Sequence, residues 1–377
     1  MRSYTILHTE ASMGWGGQEI RIVTESAGML KRGHRVLLAC RPGSMIAERA
    51  PGYGIETHEI PMGGVFDLKA ITRLSGLIKR EHVDFVVTHS SKDSWCAGFA
   101  AQSCRRAKVI RMRHVGAIIK PTFSSRLLYK ILPDAVVTIG EGVRKHVIER
   151  TGVSPDAVIS IPTGIDLEKF DPDKADASRF RKDIGVDMNA PLIGTIGMLR
   201  REKGHSYLIG AAAEVVKHFP EARFAIVGDV AFESPIKQRL TGEIAALGLE
   251  GKAILAGFRT DVPDVIASLD VYVQPSLSEA FGQVISQAFA MKKPVVGTKV
   301  GGIPEQVIEG KTGFLAEKEN SKQLADGIIA LLRDPDMARR MGENGRKFVE
   351  ERVSIQIMLD RTEALYHHLI PPEEANA

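Results

Sequence analysis

Residues 271–298 read VYVQPSLSEAFGQVISQAFAMKKPVVGT. The run from Val271 to Gln274 is short, apolar and rich in β-branched and aromatic side chains, the composition of a buried strand. A loop from Ser276 to Gly282 follows, and Pro, Ser and Gly are the residues that interrupt regular structure. A helix containing Gln287 comes next, and residues 294–298 read as another strand. Strand, loop, helix and strand in that order make a βαβ unit, which requires a parallel sheet covered by helices.

The same rhythm extends outward. Residues 192–196, 223–227 and 253–256 read as further strands of this half. Before them, residues 4–8, 35–40, 85–89, 109–112 and 135–139 form an earlier set, with helical patterns such as 19–32 and 67–81 between them. A polar, proline-bearing passage, residues 162–172 (PTGIDLEKFDP), separates the sets and reads as a linker. The expected fold is therefore α/β, two Rossmann-like domains over residues 1–168 and 169–354. Helical patterns at 336–351 and 355–370 end the chain, with 355–377 expected to pack back on the first domain and the tail 371–377 to fray. Sheets of this kind bind ligands beyond the carboxyl ends of their strands, so a cleft between the halves is the expected site.

The totals agree with this class. A length of 377 residues suits two domains, and 44% hydrophobic with 25% charged residues is globular. The net charge of +4 is uneven: residues 1–170 carry +8 and residues 171–377 carry −4. A basic half suits an anionic partner or membrane surface, and equally a solvated face. Three cysteines, Cys40, Cys96 and Cys104, form no CxxC pair, so neither a disulfide framework nor a zinc site is suggested. No signal peptide and no apolar run of about 20 residues is present, so a soluble or peripheral cytoplasmic protein is expected.

Four loops carry candidate chemistry. Residues 14–19 (GWGGQE) follow the first strand and open a helix, where glycines and free N–H groups admit a phosphate; Glu19 breaks the dinucleotide fingerprint. Residues 197–204 (GMLRREKG) place Arg200, Arg201 and Lys203 at a strand end, cations able to neutralise a departing diphosphate. In residues 275–287, Glu279 can accept from sugar hydroxyls, and the N–H groups of Phe281, Gly282 and Gln283 can hold phosphate oxygens. Gln287 can hydrogen-bond a ribose. Residues 301–305 (GGIPE) form the fourth loop. His89 and His114 end strands of the first half and would face the cleft. No HExxH, P-loop or acidic metal triad is present.

In this order the motifs resemble the retaining GT-B glycosyltransferases of family 4. PTGIDLEKF, GMLRREKGH, IVGD at residues 226–229, residues 257–290 and residues 294–315 carry the resemblance, which spans nearly the whole chain. It implies the GT-B architecture, two Rossmann-like domains facing a central cleft, with a nucleotide-sugar donor in the second. Gly16 and Gly17 resemble the glycine loop near the donor phosphates, His114 the histidine beside the donor sugar, and Lys203 the diphosphate lysine. Glu279 resembles the first acid of the family's Glu-x7-Glu motif, with catalysis assigned to Glu279, His114 and Lys203. The donor side also takes in Arg200, Arg201, Gly228, Arg259, Ala280, Phe281, Gly282, Gln283, Val284 and Gln287. Asp166 falls in the hinge and Glu305 in the GG-x-P-E run. Three positions depart from the family: Met198 replaces an arginine, Gln287 the second acid, and Thr163 the hinge asparagine.

The resemblance implies transfer with retention, no cofactor besides the nucleotide sugar, and no metal. The expected acceptor is a glycan or lipid-linked hydroxyl in envelope polysaccharide or lipopolysaccharide synthesis, with no nucleic-acid partner. Residues 123–132 (FSSRLLYKIL) place Phe123, Leu127, Leu128 and Ile131 on one helical face, with Arg126 and Lys130 elsewhere. That pattern suits a peripheral helix on anionic lipid, and equally one packed on its own sheet. An epimerase of the same fold, or a nucleotide-sugar-binding protein without catalysis, is the alternative function.

Overall fold

The computed structural model describes residues 3–116, 118–230 and 234–371. It divides into two compact units, Met1–Gly164 with Ile355–Ala377, and Ile165–Ser354. The division falls at residue 164, four residues before the boundary read from the sequence.

The first unit is a seven-stranded parallel sheet. Its strands are β1 (Thr5–Glu10), β2 (Arg35–Cys40), β3 (Glu56–Glu59), β4 (Phe85–Thr88), β5 (Lys108–Arg113), β6 (Ala135–Thr138) and β7 (Val158–Ser160), in spatial order β3-β2-β1-β4-β5-β6-β7. Inner strands are apolar because helices cover both faces; Val36 to Cys40 and Phe85 to Val87 are all buried. On one face Met358, Leu359, Leu365 and Tyr366 of the helix Ile355–Leu369 join Tyr4, Ile6, Phe85 and Met112 in one cluster. Gly28 permits the approach of this helix, since a Cβ there would lie 2.5 Å from Leu359 Cδ1. The expected frayed tail lies, from residue 372 onward, outside the described residues.

The second unit is a six-stranded parallel sheet. Its strands are β8 (Leu192–Ile196), β9 (Arg223–Val227), β10 (Ala253–Gly257), β11 (Val271–Gln274), β12 (Val295–Thr298) and β13 (Gly313–Ala316), in order β10-β9-β8-β11-β12-β13. The order reverses between β8 and β11, the switch point at which such sheets open a crevice. The helices His205–His218 and Ser321–Arg333 cover one face around Leu208, Phe224, Val273, Leu324 and Ile328. Residues 165–172 enter this unit beside its end: Ile165 N–H donates to the Val353 carbonyl at 2.8 Å.

In the segment 123–131 the outward face differs from the sequence reading. Leu128 and Tyr129 are buried, whereas Phe123, Arg126, Lys130 and Ile131 are exposed. The cause is a change of pitch: Phe123–Arg126 is α-helical and Leu127–Ile131 is π-helical, which turns the stripe. No helix of the described residues is long and apolar enough to cross a membrane.

Candidate functional site

In the second unit three loops meet at the switch point. The loop after β8 carries Lys203, whose Nζ lies 2.6 Å from Glu279 Oε2 in the loop after β11. The two loops are laced together, with Leu277 N–H donating to the Glu202 carbonyl at 2.8 Å. Gly204 makes this possible: its φ is +67°, and a Cβ would stand 1.9 Å from the Pro275 carbonyl oxygen. The loop after β12 closes the arrangement. At Gly301 (φ +51°) a Cβ would stand 1.6 Å from the Glu279 carbonyl oxygen.

Buried polar side chains brace the acid. Gln274 Nε2 donates to Ser276 Oγ at 2.7 Å, and both groups lie 3.4 Å from Glu279 Oε2. Tyr272 OH donates to Gln274 Oε1 at 2.5 Å. Gln306, fully buried, donates to the Phe281 carbonyl and accepts from Ser286 Oγ at 2.5 Å. Gln274, Ser276 and Gln306 are absent from the sequence expectation. Their signal is a polar residue at the buried end of a strand or inside an otherwise apolar helix packing, which becomes distinctive only once burial is known.

Beyond Gly282 (φ +88°) the helix Gln283–Ala290 begins. Ala280, Gln283, Val284 and Gln287 are partly accessible, whereas Phe281 and Gly282 are buried. Gln283 and Gln287 are one helical turn apart and share a face. The loops after β8 and β11 together therefore bring a cation, a braced carboxylate and a helix start to one place.

Other expected donor residues make contacts of their own. Arg200 and Arg201 are exposed and line a hollow of ≈ 400 Å³ with His205, Tyr207, Arg239 and Glu243; Lys203 and Glu279 are not among its lining residues. Arg259 is held by Asp261 Oδ1 and Asp183 Oδ2, each at 2.8 Å, and these carboxylates push its pKa upward. Gly228 (φ +140°) packs against the Gly197 carbonyl, where a Cβ would be 2.0 Å away. Met198, standing where the family carries arginine, is 40% exposed. Asp166 accepts from the N–H groups of Glu168 and Lys169, both at 3.0 Å.

In the first unit Gly16 and Gly17 open the helix Gly17–Lys31, and Gly16 N–H donates to Glu19 Oε2 at 2.8 Å. Ahead of them Glu10, buried, accepts from Ser12 N–H at 2.7 Å and from Gln18 Nε2. Burial, then the charge of Asp93, pushes Glu10 up to about 8. His89 and His114 come together at the ends of β4 and β5: His89 Nδ1 lies 2.9 Å from His114 Nε2. Burial holds both imidazoles well below their usual pKa, so they are neutral at pH 7. Thr163 accepts from Arg21 Nη1 at 3.5 Å, which also donates to the Ile161 carbonyl at 2.6 Å.

Comparison with known proteins places this geometry. The family model for glycosyl transferases group 1 matches residues 176–348, and that for Glycosyltransferase Family 4 matches residues 15–169. N-acetyl-α-D-glucosaminyl L-malate synthase of Bacillus anthracis is 27% identical over 314 residues, spanning 81% of this chain and 80% of its own. The UDP-Gal:α-D-GlcNAc-diphosphoundecaprenol α-1,3-galactosyltransferase of Escherichia coli is 26% identical over 314 residues, with the same two coverages of 81% and 80%. A solved glycosyltransferase from Rickettsia africae ESF-5 superposes with a TM-score of 0.91 at 24% identity, covering 99% of this chain and 100% of that one, a likeness of fold. Matched by one model in each half, and built as two parallel-sheet Rossmann-like units of the GT-B kind, the chain belongs to the family 4, group 1 glycosyltransferases.

Proposed function

We propose that this glycosyltransferase moves a sugar from a nucleoside diphosphate sugar to a hydroxyl of a lipid-linked envelope glycan, with retention and without a metal ion. The observation that carries the reading is Lys203 Nζ at 2.6 Å from Glu279 Oε2, beside the start of the helix Gln283–Ala290. Lys203 supplies a positive charge for the leaving diphosphate, and the N–H groups after Gly282 supply dipoles of the same sense. Glu279 receives hydroxyls of the transferred sugar, and Gln287 those of the ribose. The acceptor oxygen bonds to the anomeric carbon on the face from which the diphosphate oxygen departs. The hydroxyl proton passes to that departing oxygen, so no carboxylate nucleophile is required.

A lipid-linked acceptor is supported by the name of the Escherichia coli relative, whose acceptor carries diphosphoundecaprenol. It is supported also by the exposed apolar side chains Ile118, Phe123 and Ile131 beside Lys120, Arg126 and Lys130. Apolar groups that enter a membrane interface among cations that pair with lipid phosphate are the requirements of peripheral docking on the cytoplasmic face.

The test is a panel of UDP-, GDP- and ADP-sugars followed by thermal shift, with NMR of the transferred or slowly hydrolysed sugar. One donor should raise the melting point, and the product should keep the donor's anomeric configuration. An inverted product, or turnover that EDTA abolishes, rejects the mechanism.

A further inference from the structure

Three histidines form a continuous row in the first unit. His8 lies on β1, His89 just after β4 and His114 just after β5, three neighbouring strands of the sheet. His8 Nδ1 is 2.9 Å from His89 Nε2, and His89 Nδ1 is 2.9 Å from His114 Nε2. The ring planes are within 19° and 25° of parallel, with centroids 5.2 Å apart in both pairs. That separation exceeds the contact distance of faces, about 3.5–4.0 Å. The rings therefore meet edge to edge, linked nitrogen to nitrogen.

The row is held from beneath. Asp93, fully buried, accepts from His89 N–H at 2.7 Å, from Ser90 N–H at 2.8 Å and from Thr9 Oγ1 at 3.0 Å. His8 and His89 are 0% and 5% exposed. Burial keeps the three rings neutral, His8 with a pKa lowered to about 3.

A neutral imidazole has one N–H, so both links must point the same way along the row. Among the described residues His8 Nε2 is buried without a hydrogen-bond partner. If the links ran from His114 inward, that nitrogen would carry a buried N–H with no acceptor. If they run outward from His8, it carries only a lone pair, the less costly orphan. Outward links place a proton on His8 Nδ1, on His89 Nδ1 and on His114 Nδ1.

We propose that His8 and His89 are positioning residues that fix His114 as its Nδ1–H tautomer, an uncharged donor for a hydroxyl or phosphoryl oxygen of the substrate. The inference rests on the reading that His114 borders the substrate. A partner that sets which nitrogen bears the proton also sets what the other nitrogen offers. This tautomer makes His114 a donor to substrate oxygen and excludes it as a base.

The experiment is long-range 1H–15N NMR of the full chain labelled in histidine, with His114 identified by its loss in His114→Gln. The expected spectrum shows His114 protonated at Nδ1 and unprotonated at Nε2. Protonation at Nε2, or on both nitrogens at pH 7, overturns the proposal whatever the activity. His89→Phe removes both links while keeping a ring. It should lower kcat about tenfold or more with donor KM within twofold, and His89→Gln should recover part of the loss. A normal kcat in His89→Phe also overturns it. Failure of the wild-type protein to transfer from any donor would count against the functional reading alone, because the tautomer is measured without turnover.

Discussion

Gly301→Ala tests whether the meeting of three loops creates the site. At φ +51° an alanine adopts left-handed backbone at a cost of about 1 kcal/mol. Its Cβ would start 1.6 Å from the Glu279 carbonyl oxygen, and real Cβ contacts do not fall below 3.0 Å, so the loops must part by 1.4 Å. Opening a packed contact by that amount costs a further ~1–3 kcal/mol. With both terms the melting point should fall by roughly 5–15 °C, taking about 2–4 °C per kcal/mol for a unit of this size. The larger effect is on chemistry. Glu279 carries both the displaced carbonyl and the carboxylate 2.6 Å from Lys203, and a 1 Å misplacement can reduce turnover on the order of 100-fold. Gly310→Ala is the control: its φ is +72°, yet nothing lies within 4 Å of its Cβ. It should cost about 1 kcal/mol and leave turnover unchanged. Melting by calorimetry and initial rates with the identified donor measure both. If Gly301→Ala keeps more than half the wild-type rate, the close approach of the loops does not set the geometry of Glu279.

Lys203→Ala should reduce kcat at least tenfold through loss of leaving-group stabilisation, and near-normal rates would reject that role. Glu10 binds its proton more tightly folded than unfolded, so wild-type stability relative to Glu10→Gln should fall as pH rises from about 4.5 to about 8. Denaturant titrations of both proteins across that window check this, and a pH-independent difference refutes it. Phe123→Glu places a charge on the most exposed apolar side chain of its segment and should weaken co-sedimentation with phosphatidylglycerol vesicles severalfold. Equal binding to neutral and anionic vesicles by the wild type would reject docking.

The inner strands were legible because both faces are buried and the chain there is continuously apolar. The three strands that went unread, β3, β7 and β13, are all sheet edges. Glu56–Glu59 reads ETHE, a half-solvated sequence with no apolar run, and is recognisable only by its pairing with β2. Lys203 and Glu279 were readable from loop chemistry, but their 2.6 Å contact across 76 residues was not. The contact of Arg259 with Asp183, also across 76 residues, is equally illegible in the sequence. His89 and His114 were visible at strand ends. Their link to His8 depends on the order β1-β4-β5, which periodicity does not contain.

The helix Ile355–Leu369 has a consequence for biosynthesis. A ribosome completes all seven strands of the first unit by Ser160, yet the cluster around Tyr4 and Phe85 still lacks Met358, Leu359, Leu365 and Tyr366. The 190 residues from Ile165 to Ser354 must be translated first. At about 5–20 residues per second that interval lasts roughly 10–40 s. Throughout it part of one face of the nascent sheet, beside Met29, is uncovered, so the second unit can fold before the first is finished, and a holding chaperone has a defined surface to occupy.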